Sequence, residues 1–217
     1  MSHDRRIQLV CFDLGRVLMR ICNGWRHACD VAGVTAPAGE PDAAALAALD
    51  VAVCRSELGE IDLDEFAAAA APVLGLPPAS VVALSNAYCR GPYPGAAELL
   101  DELSAAGVAT ACLSNTNANH WRILTDPDND HGRVTGRLTH RFASHLLRVR
   151  KPDDAIYAHV ERAVGVSGSA IVFFDDVQEN IAAAARRGWR GHWTDPSLAD
   201  PIAQVRCHLR EHGILIA

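Results

Sequence analysis

The sequence predicts an α/β fold in which a parallel sheet is interrupted, after its first strand, by a helical segment. Short apolar runs at 7–12, 108–113 and 170–174 are typical of buried strands. Helical patterns lie between the later runs, and this alternation favours parallel strands joined by right-handed crossovers. The alanine-rich stretch 19–91 carries helical patterns but no clear buried strand.

The second half of the chain alternates helix and strand patterns. The further predicted elements are helices over 94–106, 153–164 and 179–187, and a short final strand over 189–193. Gly107, Gly165 and Gly188 follow these three helices, and glycine is the favoured residue just beyond a helix end. The polar segment 125–139 contains Asp-Pro and Asn-Asp steps and predicts a surface loop.

The inserted stretch has helical runs at 43–49 and 63–74. We expect 19–91 to pack over the functional site as a cap, with 1–18 and 92–217 together forming the α/β unit. The alternative is that these helices belong to one outer layer of the sheet.

Composition narrows the class of protein. The chain has 217 residues, of which 49% are hydrophobic, enough for one sizeable core. The formal net charge is −6 and no basic stretch has interleaved aromatics, so we expect no nucleic-acid partner. Because the N-terminus is polar and no apolar run is long enough to cross a bilayer, we expect a cytoplasmic protein without a membrane partner.

Cysteine and histidine positions give no sign of a transition-metal site. The seven cysteines include no CxxC pair, and this usage is typical of a reducing compartment. The ten histidines show no metal-ligand spacing. We interpret the isolated ones as surface or packing residues: His27, His120, His145 and His159.

Polar side chains follow the strand-like runs. Asp13 ends the first run and Ser114 the second, while Asp175 and Asp176 follow the third. Because the carboxyl ends of parallel strands converge on one edge of a sheet, we expect these side chains to meet there. A carboxylate at such an edge can attack phosphorus and form an aspartyl phosphate. Taken alone, Asp13 could equally cap a turn.

Three further residues, Asn115, Lys151 and Arg16, extend this site. Ser114 and Asn115 can hydrogen-bond a phosphoryl oxygen, or form a polar turn. Lys151 can neutralise the nucleophile and the phosphoryl group together, or face solvent. Arg16 lies beside the candidate nucleophile, where it can clamp a substrate anion or point to solvent.

The adjacent acids Asp175 and Asp176 predict a cation site, since neighbouring carboxylates repel unless a cation holds them. A site with only a few protein oxygens, and with room left for water and phosphate, suits Mg²⁺. Asn180 comes one helical turn after Asp176 and can fall on the same face. The alternative is that one of the two acids caps the helix that follows.

Four motifs in order resemble the haloacid dehalogenase (HAD) superfamily, and they extend over nearly the whole chain. They are Asp-Leu-Gly-x-Val-Leu at 13–18, Leu-Ser-Asn-Thr-Asn at 113–117, Arg-Lys-Pro at 150–152 and Phe-Phe-Asp-Asp-x-x-x-Asn at 173–180. They are most similar to the branch with bacterial sugar-phosphate phosphatases that act on glucose 1-phosphate. The resemblance implies a Rossmann-like three-layer core with a helical cap after the first motif, and 57–66 is similar to the family's cap.

The resemblance also implies roles. Asp13 would be the nucleophile, Ser114 would bind the phosphoryl group and Lys151 would stabilise charge. The implied Mg²⁺ ligands are Asp13, the Gly15 carbonyl and Asp176, with Asp175 and Asn180 in support. The implied activity is a Mg²⁺-dependent phosphatase for a small phosphorylated metabolite, a sugar phosphate among the candidates, acting through an aspartyl phosphate.

One position departs from the family pattern. Most family phosphatases carry a second Asp two residues after the nucleophile, where this chain has Gly15. Losing a general acid or base costs roughly 10²–10⁴-fold in rate. Two alternatives therefore stay open: a metal-independent 2-haloacid dehalogenase, and a catalytically weak member that binds a ligand or a protein. The Asp175–Asp176 pair speaks against the first, and retention of Lys151 and the acids speaks against the second.

Overall fold

The computed structural model describes residues 6–215. The elements in chain order are β1 (Leu9–Phe12), β2 (Met19–Ile21), α1 (Gly24–Ala32), α2 (Ala43–Glu57), α3 (Leu63–Leu74), α4 (Pro78–Ala87), β3 (Cys89–Pro92), α5 (Ala96–Ala105), β4 (Ala109–Ser114), α6 (Ala118–Thr125), α7 (Asp130–Thr135), β5 (His140–Ala143), α8 (Ser144–Leu147), α9 (Asp154–Val164), β6 (Ile171–Asp175), α10 (Gln178–Arg186), β7 (Arg190–Trp193) and α11 (Pro201–Glu211). The predicted α/β class is confirmed.

The main sheet has five strands, all parallel, in the order β5-β4-β1-β6-β7. Strand β1 is central, and its Cys11 lies opposite Ala111 of β4 and Phe173 of β6. Every residue of β1 and β6 is buried. A parallel sheet is covered on both faces, which explains why these strands read as continuous apolar runs.

Helices cover the two faces of the sheet. Because side chains alternate along a strand, Val10 and Phe12 pack with α5 and α11 in one cluster. Leu9 and Cys11 pack with α9 and α10 in another. The core is therefore three layers, and the carboxyl ends of the central strands open at one edge.

The helical segment enters and leaves through two short strands that the sequence did not reveal. Strands β2 and β3 pair antiparallel, with Met19 opposite Pro92 and Ile21 opposite Cys89. Three or four residues are too few for an alternating pattern, and the pairing joins positions far apart in sequence. Helices α1 to α4 lie between these strands and bury a hydrophobic cluster of their own, rich in alanine.

Helices α3 and α4 meet at a sharp break. A capping box of Asp62 and Glu65 starts α3, and Gly75 ends it in the left-handed conformation. No single helix within 6–215 is long and apolar enough to cross a bilayer. Joined together, α3 and α4 reach that length and composition, but they are bent by 107° at the break.

The prediction of a surface loop over 125–139 is wrong for residues 130–135. These residues form helix α7, which Asn129 caps by accepting a hydrogen bond from the Gly132 amide at 2.9 Å. Gly132, Val134 and Thr135 are buried. A side chain at position 132 would lie 1.9 Å from the Asp126 carbonyl oxygen, so this helix packs too closely for any residue but glycine. The polar residues act as caps, which a composition pattern cannot distinguish from a loop.

Candidate active site

Lys151 joins the ends of two neighbouring strands. Its Nζ lies 2.9 Å from Asp13 Oδ1, just beyond β1, and 2.7 Å from Asp175 Oδ2, at the end of β6. The Lys151 side chain is 1% exposed, so the alternative of a solvent-facing lysine is wrong. Burial opposes its charge, but the two carboxylates outweigh burial and raise the pKa of Lys151 above its usual value.

Asp175 is fully buried and fully partnered. Beside Lys151, it accepts hydrogen bonds from the Val177 amide at 2.8 Å and from Asn180 Nδ2 at 3.0 and 3.1 Å. The capping alternative fails, because Val177 occupies the N-cap of α10 and no side chain caps the helix. The sequence placed Asn180 beside Asp176; the structure instead places its amide nitrogen on Asp175.

Asp13, Asp175 and Asp176 bring one carboxylate oxygen each to within 4.8 Å of one another. Burial, opposed by Lys151 and reinforced by Asp175 and Asp176, raises the pKa of Asp13 to about 7. Burial and the neighbouring Asp175 also raise the pKa of Asp176. Carboxylates this close repel one another, and hard oxygen donors are the ligands that Mg²⁺ prefers. The donor set therefore fits a divalent cation.

Asn115 holds the Lys151 backbone. Its Oδ1 accepts from the Lys151 amide and its Nδ2 donates to the Lys151 carbonyl, both at 2.9 Å. Both ends of the Asn115 side-chain amide are thereby occupied, so the predicted contact of Asn115 with a phosphoryl oxygen rests on its backbone amide and stays a prediction. Ser114, at the end of β4, is buried beside it and lines the cavity described below.

The turn after Asp13 places Arg16 over the acids. Arg16 adopts the left-handed conformation, with φ of 57°, and its amide donates to the Met19 carbonyl at 2.7 Å. Its guanidinium lies 3.4 Å from Asp176 Oδ2, and the role of Arg16 in clamping a substrate anion stays a prediction. Gly15 is not among the residues with positive φ. The unusual backbone of this turn therefore belongs to Arg16.

A cavity of about 510 Å³ lies between this edge of the sheet and the helical segment. Asp13, Gly15, Arg16, Ser114 and Asp176 line one part of it. Helices α1 to α4 and strand β2 line the other part, mainly with apolar side chains. The residues predicted from strand ends thus share one cavity, with the exception of the buried Lys151, Asp175 and Asn180 beneath it.

Two residues at this cavity were missed by sequence reasoning. His120, in α6, contacts Ser85 of α4 through Nε2, at 3.2 Å from Oγ and 3.1 Å from the carbonyl oxygen. Burial lowers the pKa of His120 to about 4. Glu57, at the end of α2, pairs with Arg150 at 2.7 Å. The Arg-Lys-Pro motif could have pointed to Glu57, because Arg150 of that motif is its partner. No feature of the sequence pointed to His120.

The chain belongs to the haloacid dehalogenase-like hydrolases, whose family model matches residues 9–188. The predicted superfamily is thereby confirmed, and the protein is a hydrolase. The narrower likeness to sugar-phosphate phosphatases stays a prediction.

Relatives and solved structures agree with this family. The sesquiterpene phosphatase AstK of Aspergillus oryzae is 32% identical over 142 residues, which are 64% of this chain and 70% of that protein. A HAD family enzyme of Bacteroides thetaiotaomicron has a TM-score of 0.75 at 19% identity, over 90% of this chain and 97% of that one. The same enzyme has been solved in complex with magnesium and inorganic phosphate, with a TM-score of 0.72 at 21% identity, over 88% and 96%.

An L-2-haloacid dehalogenase of Xanthobacter autotrophicus also shares the fold. Its TM-score is 0.62 at 20% identity, over 97% of this chain and 85% of that one. At these identities the structural likeness establishes the fold alone, so the choice between phosphate and haloacid chemistry depends on the site.

Proposed function

We propose that this protein is a Mg²⁺-dependent phosphatase that cleaves phosphate monoesters through an aspartyl phosphate on Asp13. The observation that carries the proposal is the convergence of Asp13, Asp175 and Asp176 around Lys151 at one edge of the sheet. The relative from Aspergillus is named a phosphatase, and the Bacteroides neighbour binds magnesium and phosphate, which supports the same chemistry.

Asp13, Asp176 and the Gly15 carbonyl would hold the metal, with Asp175 behind them. Bound there, Mg²⁺ neutralises charge on the phosphoryl oxygens and orients them towards the nucleophile. Asn180 contributes through Asp175, whose carboxylate it fixes by two hydrogen bonds. Outer contacts of this kind orient a ligand and tune its charge.

Asp13 begins the reaction by attack of a carboxylate oxygen on phosphorus. A P–O bond forms as the ester P–O bond breaks, and the electron pair of that bond leaves with the alcohol oxygen. Lys151 and the Ser114 hydroxyl stabilise the charge on the phosphoryl group. Because position 15 has no carboxyl group, the leaving oxygen takes its proton from water, from the helical segment or from the substrate itself. A second water then attacks the acyl phosphate, releases inorganic phosphate and restores the Asp13 carboxylate.

The position of the cavity supports the assignment of 19–91 as a cap and of 1–18 with 92–217 as the core. Acidic residues of the core and apolar residues of the helical segment line the same space. A substrate would present its phosphoryl group to the first and its organic group to the second. The expected sugar phosphate and the terpenoid suggested by the relative's name differ only in that organic group.

The dehalogenase alternative has less support. Attack on carbon needs no cation, yet Asp176 stands beside Asp175 and Asp13 with Arg16 as its partner. Such a cluster disfavours a metal-independent carboxylate nucleophile, because nearby negative charges raise its pKa. A purely binding role would not require Lys151 to be buried between two carboxylates.

The proposal is tested first with p-nitrophenyl phosphate, assayed with Mg²⁺ and again after chelation. We expect turnover that is lost with the chelator and restored by added Mg²⁺. The absence of turnover in the presence of Mg²⁺, or turnover of 2-chloropropionate instead, would overturn the proposal.

The metal site is tested by calorimetric titration with Mg²⁺. We expect Asp176→Ala to weaken binding by more than about 100-fold and Asn180→Ala by about 10-fold, since Asn180 acts through Asp175. Glu179→Ala is the matched control, because Glu179 is exposed beside Asn180 on α10. Unchanged affinity in Asp176→Ala would contradict the assignment.

A further inference from the structure

Membership of the family does not identify the organic group that the substrate carries on its phosphate. Resting on the proposed phosphatase, we propose that this group is an apolar hydrocarbon chain of isoprenoid size rather than a sugar. The inference comes from the part of the cavity that the helical segment lines.

Apolar side chains from all four helices of the segment face the cavity. They include Trp25 of α1, Leu49 and Val53 of α2, Phe66 of α3 and Leu84 of α4. Trp25, Leu49, Val53 and Phe66 are only partly buried, so apolar surface remains for a ligand to cover. Covering such surface is favourable in proportion to its area.

Three polar residues beside this apolar part, His120, Ser85 and Glu57, already have partners. His120 contacts Ser85, and its lowered pKa keeps its ring neutral. Glu57 is paired with Arg150. Asp50, which also lines the cavity, is exposed to solvent.

A sugar needs a different environment. Each hydroxyl that enters an apolar site without a partner loses its hydrogen bonds to water, and the penalty recurs for every hydroxyl. Leu49, Val53 and Phe66 cannot replace those bonds, and Trp25 offers only a single N–H donor. A hydrocarbon chain incurs no such penalty.

The size of the cavity agrees with this class of substrate. Pockets of about 300–1,000 Å³ enclose most of the surface of an organic ligand, and this one measures about 510 Å³. The volume exceeds what a phosphoryl group alone occupies, so it leaves room for a chain of several isoprene units.

The test is a series of allylic monophosphates that share one leaving group and differ in length: dimethylallyl, geranyl and farnesyl phosphate. Each buried methylene contributes about fourfold in affinity. We therefore expect kcat/KM to rise at least about tenfold per isoprene unit, with glucose 1-phosphate below dimethylallyl phosphate. A flat series, or a preference for glucose 1-phosphate, would overturn the inference while leaving the phosphatase proposal intact.

A pair of variants on one helix locates the effect. Val53→Glu places a charge in the apolar part and should reduce the ratio of farnesyl to dimethylallyl kcat/KM by at least tenfold. Val51→Glu makes the same change on the same helix at a residue that is 60% exposed and outside the cavity, and should leave that ratio unchanged. Equal ratios in both variants would contradict the assigned location.

Binding provides a readout that does not depend on turnover. Trp25 lines the cavity, so farnesyl phosphate should change tryptophan emission, and this change should be absent in Trp25→Phe. If no phosphate ester is hydrolysed with Mg²⁺, the proposed function fails, but tighter binding of the longer chains still supports the apolar site. Chain-independent binding rejects it.

Discussion

The two parts of the cavity are built from residues of opposite character. At the edge of the sheet, Lys151 pairs with Asp13 and Asp175 at 2.9 and 2.7 Å, and Arg16 lies 3.4 Å from Asp176. Replacing a charged member of these pairs leaves its partner unpaired. In the helical segment, alanine, leucine and valine pack by shape, and many apolar replacements preserve such packing. Under the proposed function, we therefore expect the chemistry to depend on residue types that cannot be replaced, and the selectivity to depend on residues that can be exchanged for other apolar ones.

The comparison is tested most directly by the same substitution, Asp to Asn, at the edge of the sheet and in the helical segment. Asp13→Asn should lower kcat by about 10⁴-fold or more, because an amide cannot form an acyl phosphate. Asp64→Asn, at an exposed position of α3, should leave kcat unchanged. Steady-state kinetics and thermal unfolding of both variants provide the measurement, and full activity in folded Asp13→Asn would refute the nucleophile.

A smaller effect is expected at Gly15, the least family-typical residue of the polar edge. Without a general acid, rates should depend steeply on the pKa of the leaving alcohol, so aryl phosphates should react faster than simple alkyl phosphates. Gly15→Asp should flatten this dependence, with slower esters gaining up to about 10²-fold. The measure is kcat/KM across a series of phosphate esters for both proteins.

The structure makes Gly15→Asp a fair test. A Cβ at position 15 would lie 3.2 Å from Ile21 Cδ1, the end of a flexible side chain that must move by a few tenths of an ångström. The backbone there is not left-handed, in contrast to that of Arg16. A flat series in the unmodified enzyme would show that another residue already protonates the leaving group.

The smallest predicted effect concerns the junction between the two regions. His120 has a pKa of about 4 in the folded protein and about 6.5 when unfolded. Between these values the unfolded chain binds a proton that the folded chain does not, so stability is lost as pH falls below about 6.5.

His120→Gln should remove that part of the loss. Urea unfolding at pH 7.5 and pH 5 should show a decrease in the free energy of unfolding that is about 2 kcal/mol smaller in the variant than in the parent protein. Each protein serves as its own reference at pH 7.5. The same decrease in both would mean that other groups cause the acid sensitivity.

Sequence reasoning succeeded where a local pattern and a chemical requirement coincided. The strands ending at Asp13, Ser114 and Asp175 are buried on both faces, so they read as apolar runs followed by polar residues. Their convergence follows from parallel topology alone. That Lys151 forms ion pairs was predictable for the same reason, because a lysine close to the acidic strand ends is most stable when it pairs with their carboxylates.

The rest was decided by contacts between distant residues. Asn115 bonds the Lys151 backbone and Asn180 holds the Asp175 carboxylate, and neither contact was predicted from the sequence. Strands β2 and β3 exist because they pair with each other, and β5 has only two buried residues among four. The apolar part of the cavity is formed by side chains from four helices, and no single stretch of sequence encodes that shape.

The pairing of β2 with β3 has a consequence for how such a protein diversifies. Because the chain leaves and rejoins the core side by side at this ribbon, the stretch between can lengthen, shorten or be replaced with little change in loop-closure entropy. Strands β2 and β3 form a sheet of their own, separate from the main sheet. Exchanging the segment between these two strands would therefore change the binding preference and leave the edge that carries Asp13, Asp175 and Asp176 unchanged. The two strands are the natural junctions for engineered chimaeras.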